Sequence, residues 1–166
     1  MLELAKLVLM GGMLAVTAAV PTQEPQVSVD QVLGPWLTGK KGAVIDIYRC
    51  GDGNKKLCGR IAWLRKPYHQ DGSLKRDPEN PDESLRKRPL CGIEVFTGLT
   101  RTDADTWARG RVYNPEDGHR YHAYLDFNGD GTLHIRGYIG IPLFGKSETW
   151  TRPEGIDIGC PPDPAG

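Results

Sequence analysis

Two runs of alternating apolar residues restrict this chain more than anything else in it. Tyr121, Ala123, Leu125 and Phe127 form the first, and Leu133, Ile135, Gly137 and Ile139 the second. A period of two places every second side chain on one face of a strand. Asn128-Gly129-Asp130-Gly131 between them is turn chemistry, so the pair reads as an antiparallel hairpin inside the stretch from Trp107 to Arg152. Parity then sets the register. If Phe127 faces Leu133, Leu125 faces Ile135 and Ala123 faces Gly137, and the two apolar faces coincide. A two-residue loop pairing Asn128 with Gly131 would set Leu125 against His134 instead. An odd-numbered loop is therefore expected, Gly129-Asp130-Gly131 with a bulge.

Further strand-like runs occur at Trp36, Ala43 to Arg49, Leu57 to Leu64, Gly92 to Leu99, Trp107 to Tyr113 and Glu148 to Arg152. With the hairpin these make eight. The 13 prolines and 21 glycines suit many short strands joined by tight turns, not long helices. Eight consecutive antiparallel strands bury their apolar faces and hide their edges by closing into an up-and-down barrel, with a two-sheet sandwich as the competing arrangement. The ends favour the barrel. Gly34-x-Trp36 opens the first strand and Trp150-Thr151-Arg152 ends the last. In a closed barrel these strands are neighbours, so Arg152 is expected across the Trp36 ring, capping the floor. The fold class is all-β, a single antiparallel eight-stranded barrel over residues 34–152 with one long polar loop, 65–90.

Met1 to Ala19 has the pattern of a secretory signal. Lys6 and the amino terminus supply positive charge, Leu7 to Val16 is apolar, and Thr17-Ala18-Ala19 offers small residues for cleavage. Interrupted by Gly11-Gly12, the apolar part is too short to span a membrane. The expected product is periplasmic or secreted. Residues 20–33 are a lead-in, with Val27 to Leu33 either a short helical turn or extended, and 153–166 a C-terminal tail. Basic and acidic residues balance at 21 each, which gives no global electrostatic reason to seek nucleic acid or an anionic membrane.

Four cysteines in an exported chain suggest two disulfides, for which three pairings exist. Cys50 and Cys58 flank the turn-forming Gly51-Asp52-Gly53-Asn54 and are expected to clamp one hairpin, leaving Cys91 for Cys160. Neither CxxC spacing nor a close pair elsewhere supports zinc or redox chemistry.

Several blocks then resemble a known family. Cys58-Gly59-Arg60-Ile61-Ala62-Trp63-Leu64, Asp77-Pro78-Glu79-Asn80-Pro81, Leu85-Arg86-Lys87-Arg88-Pro89-Leu90, Tyr113-Asn114-Pro115, Arg136-Gly137-Tyr138 and Trp150-Thr151-Arg152 occur in the order found in the exported bacterial family called domain of unknown function 2147. Gly34-x-Trp36 with Arg152 also resembles the calycin superfamily, which includes lipocalins. The resemblance implies an exported β-barrel and no activity, because the family carries no assigned reaction.

The residues themselves offer little chemistry. Asp126-x-Asn128-x-Asp130-Gly131 opens like a calcium loop, but Gly137 stands where a bidentate Glu is needed, and strands flank it. On the hairpin register Asp126 faces His134, Tyr124 faces Arg136 and His122 faces Tyr138. Such a face is either a general base with its orienter or an ordinary solvated sheet surface. No Ser lies in a nucleophile elbow, no third ligand completes a metal site, and no cofactor signature is present. The loop from Arg65 to Pro89 is the best functional candidate. Its Arg86 and Arg88 suit an anionic group, unless its charges serve only to dissolve the loop or to tie it to the barrel through Asp77, Asp82 or Arg86. Trp63 and Trp107 are candidate ligand stackers or wall residues. The leading expectation is non-enzymatic binding of a small, partly apolar, lipid-like ligand in the barrel mouth. A protein-interaction module using the 65–90 loop is the alternative, and an unrecognised hydrolase the third.

Overall fold

The computed structural model describes residues 27–163. The secretory-signal pattern of Met1 to Ala19 lies outside them. Eight strands form one antiparallel sheet in chain order: β1 (Gly34–Leu37), β2 (Ala43–Cys50), β3 (Lys56–Leu64), β4 (Glu94–Arg101), β5 (Thr106–Asn114), β6 (His119–Phe127), β7 (Leu133–Tyr138) and β8 (Gly145–Trp150). Among the described residues there is no α-helix; Val29–Gln31, Asp52–Asn54 and Glu83–Leu85 are single 3₁₀ turns. The first turn settles the lead-in, with Ser28 and Gln31 forming a capping box.

The hairpin has the register that parity demands. Phe127 faces Leu133, Leu125 faces Ile135 and Ala123 faces Gly137. Asn128 N–H donates to Thr132 O at 2.8 Å, enclosing the three-residue loop Gly129-Asp130-Gly131, with Gly131 at φ +82° where a Cβ would be strained. The apolar period breaks sooner than the sequence suggests. Ile139 continues the alternation of β7 yet lies beyond the strand and is exposed. Gly140, at φ +68°, turns the chain there, and β8 begins at Gly145, three residues before the expected Glu148. A bulge in β5 adds one residue, so both Trp107 and Gly110 share the inner face, opposite Leu125 and Ala123.

The sheet curls until β1 meets the chain just past β8. Leu37 and Thr151 exchange backbone bonds of 2.7 and 3.1 Å. At this floor end the Arg152 guanidinium lies 3.7 Å from the Trp36 ring centroid and donates to Pro35 O (2.9 Å) and Gln31 O (2.6 Å). The Trp36 indole N–H donates to Val32 O at 2.8 Å. The charge therefore sits on a ring already anchored, and is itself held by one carbonyl of β1 and one of the lead-in.

Aromatic rings span the lumen. Trp36 of β1 reaches Phe127 of β6, ring centroids 6.3 Å apart. Phe96 of β4 reaches Trp150 of β8 at 6.4 Å. Neither pair is on neighbouring strands, so both contacts cross the interior. Glycine makes room for this: a Cβ on Gly59 would lie 2.3 Å from the Phe96 ring. Disulfides join Cys50 to Cys58 and Cys91 to Cys160, the latter tying the tail to the end of the long loop.

Candidate functional site

The connections 38–42, 65–93, 115–118 and 139–144 lie at the end opposite the floor and rim the mouth. Strand register identifies what faces inward there. Gly137 pairs with Ala123 and Lys146, and Ile135 with Leu125 and Glu148, so Lys146 and Glu148 share the inner face. Val112 and Tyr121 face each other beside Gly137. Above the buried layer of Ala123, Leu125 and Ile135, the inner residues Val112, Tyr121 and Gly137 are only half-buried. Glu148 accepts from the Trp150 indole at 3.1 Å, and the Tyr121 hydroxyl donates to Asp117 at 2.6 Å. The inner face at the mouth end, here called the cup, is therefore apolar below, with an acid, a base and a phenol at its rim.

The long loop does not reach into this cup. Its centre is Asp77, which is 0% exposed. The Asp77 carboxylate accepts from Tyr113 Oη (2.6 Å), Asn80 Nδ2 (2.7 Å) and Arg88 Nη2 and Nε (2.8 and 3.1 Å). Burial alone would raise its pKa; the bonds from Tyr113, Asn80 and Arg88, with the Arg88 charge, outweigh burial and hold it below the ordinary carboxylate range. Burial and the Asp77 partner push the Tyr113 phenol up to about 12. Tyr113 is on the outer face of β5, stacked under Arg120, so the loop folds outward against the wall. Asp82 caps the Glu83–Leu85 turn through Ser84. Arg86 donates to Asn80 O at 2.9 Å and pairs with Glu83, and Arg76 pairs with Asp163 of the tail.

The four residues singled out as ligand contacts are not brought together. Arg88 and Arg86 are occupied inside the loop as described. Trp63, half-buried, pairs with Val44 near the mouth end of β3. Trp107 is buried near the floor end of β5, with Arg101 4.7 Å above its ring, at the edge of a floor-end cleft of about 510 Å3 that includes Val27, Arg49 and Lys55. An outer cleft, of about 500 Å3, lies between β2, β3 and the tail and is lined by Asp46, Arg60, Ile61 and Ile158. The face carrying His122, Asp126 and His134 has the expected register and looks outward. His134 Nδ1 is 3.7 Å from Asp126 Oδ2, Thr106 donates to Asp126 at 2.8 Å, and His122 stacks on Tyr138 at 5.4 Å. Each partner is taken by a sheet neighbour, the ordinary cross-strand arrangement. Among the described residues no three His, Cys, Asp or Glu side chains group as a metal site.

Sequence reasoning missed one feature of the mouth. The connection Ile139-Gly140-Ile141-Pro142-Leu143-Phe144 exposes four large apolar side chains, at 66, 54, 75 and 69% for Ile139, Ile141, Leu143 and Phe144. The signal was present: large apolar residues interleaved with Gly140 and Pro142 form a turn, where nothing in the strand can cover them.

Topology and a floor sealed by arginine on tryptophan define a lipocalin-like barrel. The profile of the family described as "Uncharacterized protein conserved in bacteria (DUF2147)" matches residues 34–152, and the chain belongs to that family. Among solved structures it is similar to one described as "Protein HP1028 from the human pathogen Helicobacter pylori belongs to the lipocalin family". The two share 24% identity and a TM-score of 0.62, covering 74% of this chain and 83% of that one, a likeness of fold. Comparison with curated proteins gives no match.

Proposed function

We propose that this protein is an exported, non-enzymatic carrier or sensor that holds a small, partly apolar ligand in the mouth-end cup. The observation that supports this reading is the gradient along the lumen. The floor end is closed by Trp36 and Trp150, both buried, with Phe127 against Trp36 and Phe96 against Trp150, whereas Val112, Tyr121 and Gly137 towards the mouth stay half-buried. An apolar base with Lys146, Glu148 and Tyr121 at its edge suits a molecule with an apolar body and one polar group. The interaction-module alternative built on Arg86 and Arg88 is the less favoured, because both guanidinium groups already serve the loop.

The test is native mass spectrometry of protein purified from its own envelope, paired with titration of anilinonaphthalene sulfonate. A co-purifying small molecule, and saturable probe binding weakened about tenfold or more by Val112→Trp, are the expected results. A bare protein whose probe binding is unchanged by Val112→Trp overturns the reading.

A further inference from the structure

We infer that the β7–β8 tip, Ile139 to Phe144, docks the protein on a lipid bilayer bearing anionic headgroups. This goes beyond ligand binding in the cup and does not depend on it. Four exposed large apolar side chains on one connection are costly unless something covers them. The tip is held in shape. Arg136 on β7 donates to Pro142 O (2.7 Å), Leu143 O (3.2 Å) and Ser147 Oγ (2.6 Å). Ile139 N–H donates to Phe144 O, and Phe144 N–H to Ile141 O, each at 3.1 Å.

Those bonds indicate the occupant. The carbonyls of Ile141, Pro142, Leu143 and Phe144 are all satisfied from within, and Pro142 has no N–H to lose. Pairing these four carbonyls internally lowers the cost of bringing the tip to hydrocarbon depth. The surroundings match an interfacial depth. Tyr138 and Tyr124 lie on the outer face just below the tip, with ring centroids 6.3 Å apart, at the level where amphipathic rings meet headgroups.

Exposed Lys146 is the second residue of β8, and exposed Lys40 and Lys41 sit on the neighbouring β1–β2 turn. Arg65 and Lys66 follow beside that turn, Arg65 N–H donating to Gly42 O at 2.9 Å. On the other flank, Asp117 of the β5–β6 turn is engaged by Tyr121, Asn114 and the His119 backbone. Glu116 is exposed there, so the basic side of the tip is the one towards β1. The balanced net charge supplies no long-range attraction. Apolar insertion with short-range basic contacts must hold the protein.

The experiment floats the protein, as its own cell produces it, with vesicles of phosphatidylcholine alone and of phosphatidylcholine with phosphatidylglycerol. Leu143→Asp with Phe144→Asp is the test variant. Both side chains are exposed, so its melting temperature should equal that of the parent, and the N-terminus is the same in both. The expected result is binding to the anionic vesicles that falls about tenfold or more in the double variant. Lys40→Glu with Lys41→Glu should weaken binding to the anionic vesicles only, and Phe144→Trp should shift its emission to the blue on binding. Equal flotation of parent and Leu143/Phe144 variant overturns the inference. So does absence of vesicle binding together with self-association, or capture of another protein, that the variant abolishes.

Discussion

Replacing Asp77 by alanine isolates the contribution of the long loop's centre. The substitution removes the acceptor for the Tyr113 hydroxyl, the Asn80 amide and the Arg88 guanidinium at once. Tyr113 and Asn80 are buried, and each buried donor left without a partner costs about 1–3 kcal/mol. The Arg88 side chain is 30% exposed and can turn to water, so the roughly 3–5 kcal/mol of a fully buried broken pair does not apply in full. The expected loss is about 3 kcal/mol, which in a domain of this size lowers Tm by roughly 10–15 °C. Asp77→Asn keeps one carbonyl for Asn80 and Arg88 and lets the phenol turn to meet the amide, and should cost only about 1 kcal/mol. The assay is thermal unfolding by circular dichroism, with limited tryptic digestion at Lys75, Arg76, Arg86 and Lys87. The carboxyl pKa is held down in the folded protein, so its contribution is present above the unfolded value of about 3.9 and is lost as pH falls through the folded one. The Tm advantage of the parent over Asp77→Asn should therefore vanish in acid. An alanine variant melting within about 3 °C of the parent, its loop no more open to trypsin, refutes the reasoning.

Gly59→Ala should cost about 1–3 kcal/mol through overpacking. Phe96 is buried against Trp150 and cannot retreat; an unchanged Tm would contradict the packing of rings across the lumen. Tyr48 and Tyr113 should ionise only near pH 12 in an ultraviolet titration. Burial and the acceptors Glu94 and Asp77 raise both, so their contribution is present below the unfolded value of about 10 and fades as pH rises through about 12. If all six tyrosines titrate together near pH 10, these two hydrogen bonds do not hold in solution.

The hairpin register was legible because it rests on local facts, a period of two and the turn residues 128–131. The Trp36–Arg152 seal was legible because barrel closure makes the first and last strands neighbours. What escaped depends on partners distant in sequence or on competition between signals. Ile139 keeps the alternation, so the period assigned it to the core; the backbone demands of Gly140 and Pro142 won. Arg86, Lys87 and Arg88 read either as an anion-binding cluster or as charges tying the loop to the barrel through Asp77, Asp82 or Arg86, because nothing local says that Asp77, eleven residues before Arg88, is buried beneath them against Tyr113. The bulge in β5 shifts Trp107 and Gly110 onto one face against simple parity.

The seam at the floor constrains the order of events during synthesis. Arg152 bonds Pro35 and Gln31, partners 117 and 121 positions earlier, and Thr151 bonds Leu37. Until the last strand emerges, the nascent chain carries open edges on β1 and on its newest strand, both ready to pair with another molecule. Contacts this remote also make for slow closure. A chain truncated just before Trp150 would keep most of its hairpins and still lack a shut cylinder, so clumping would be its fate.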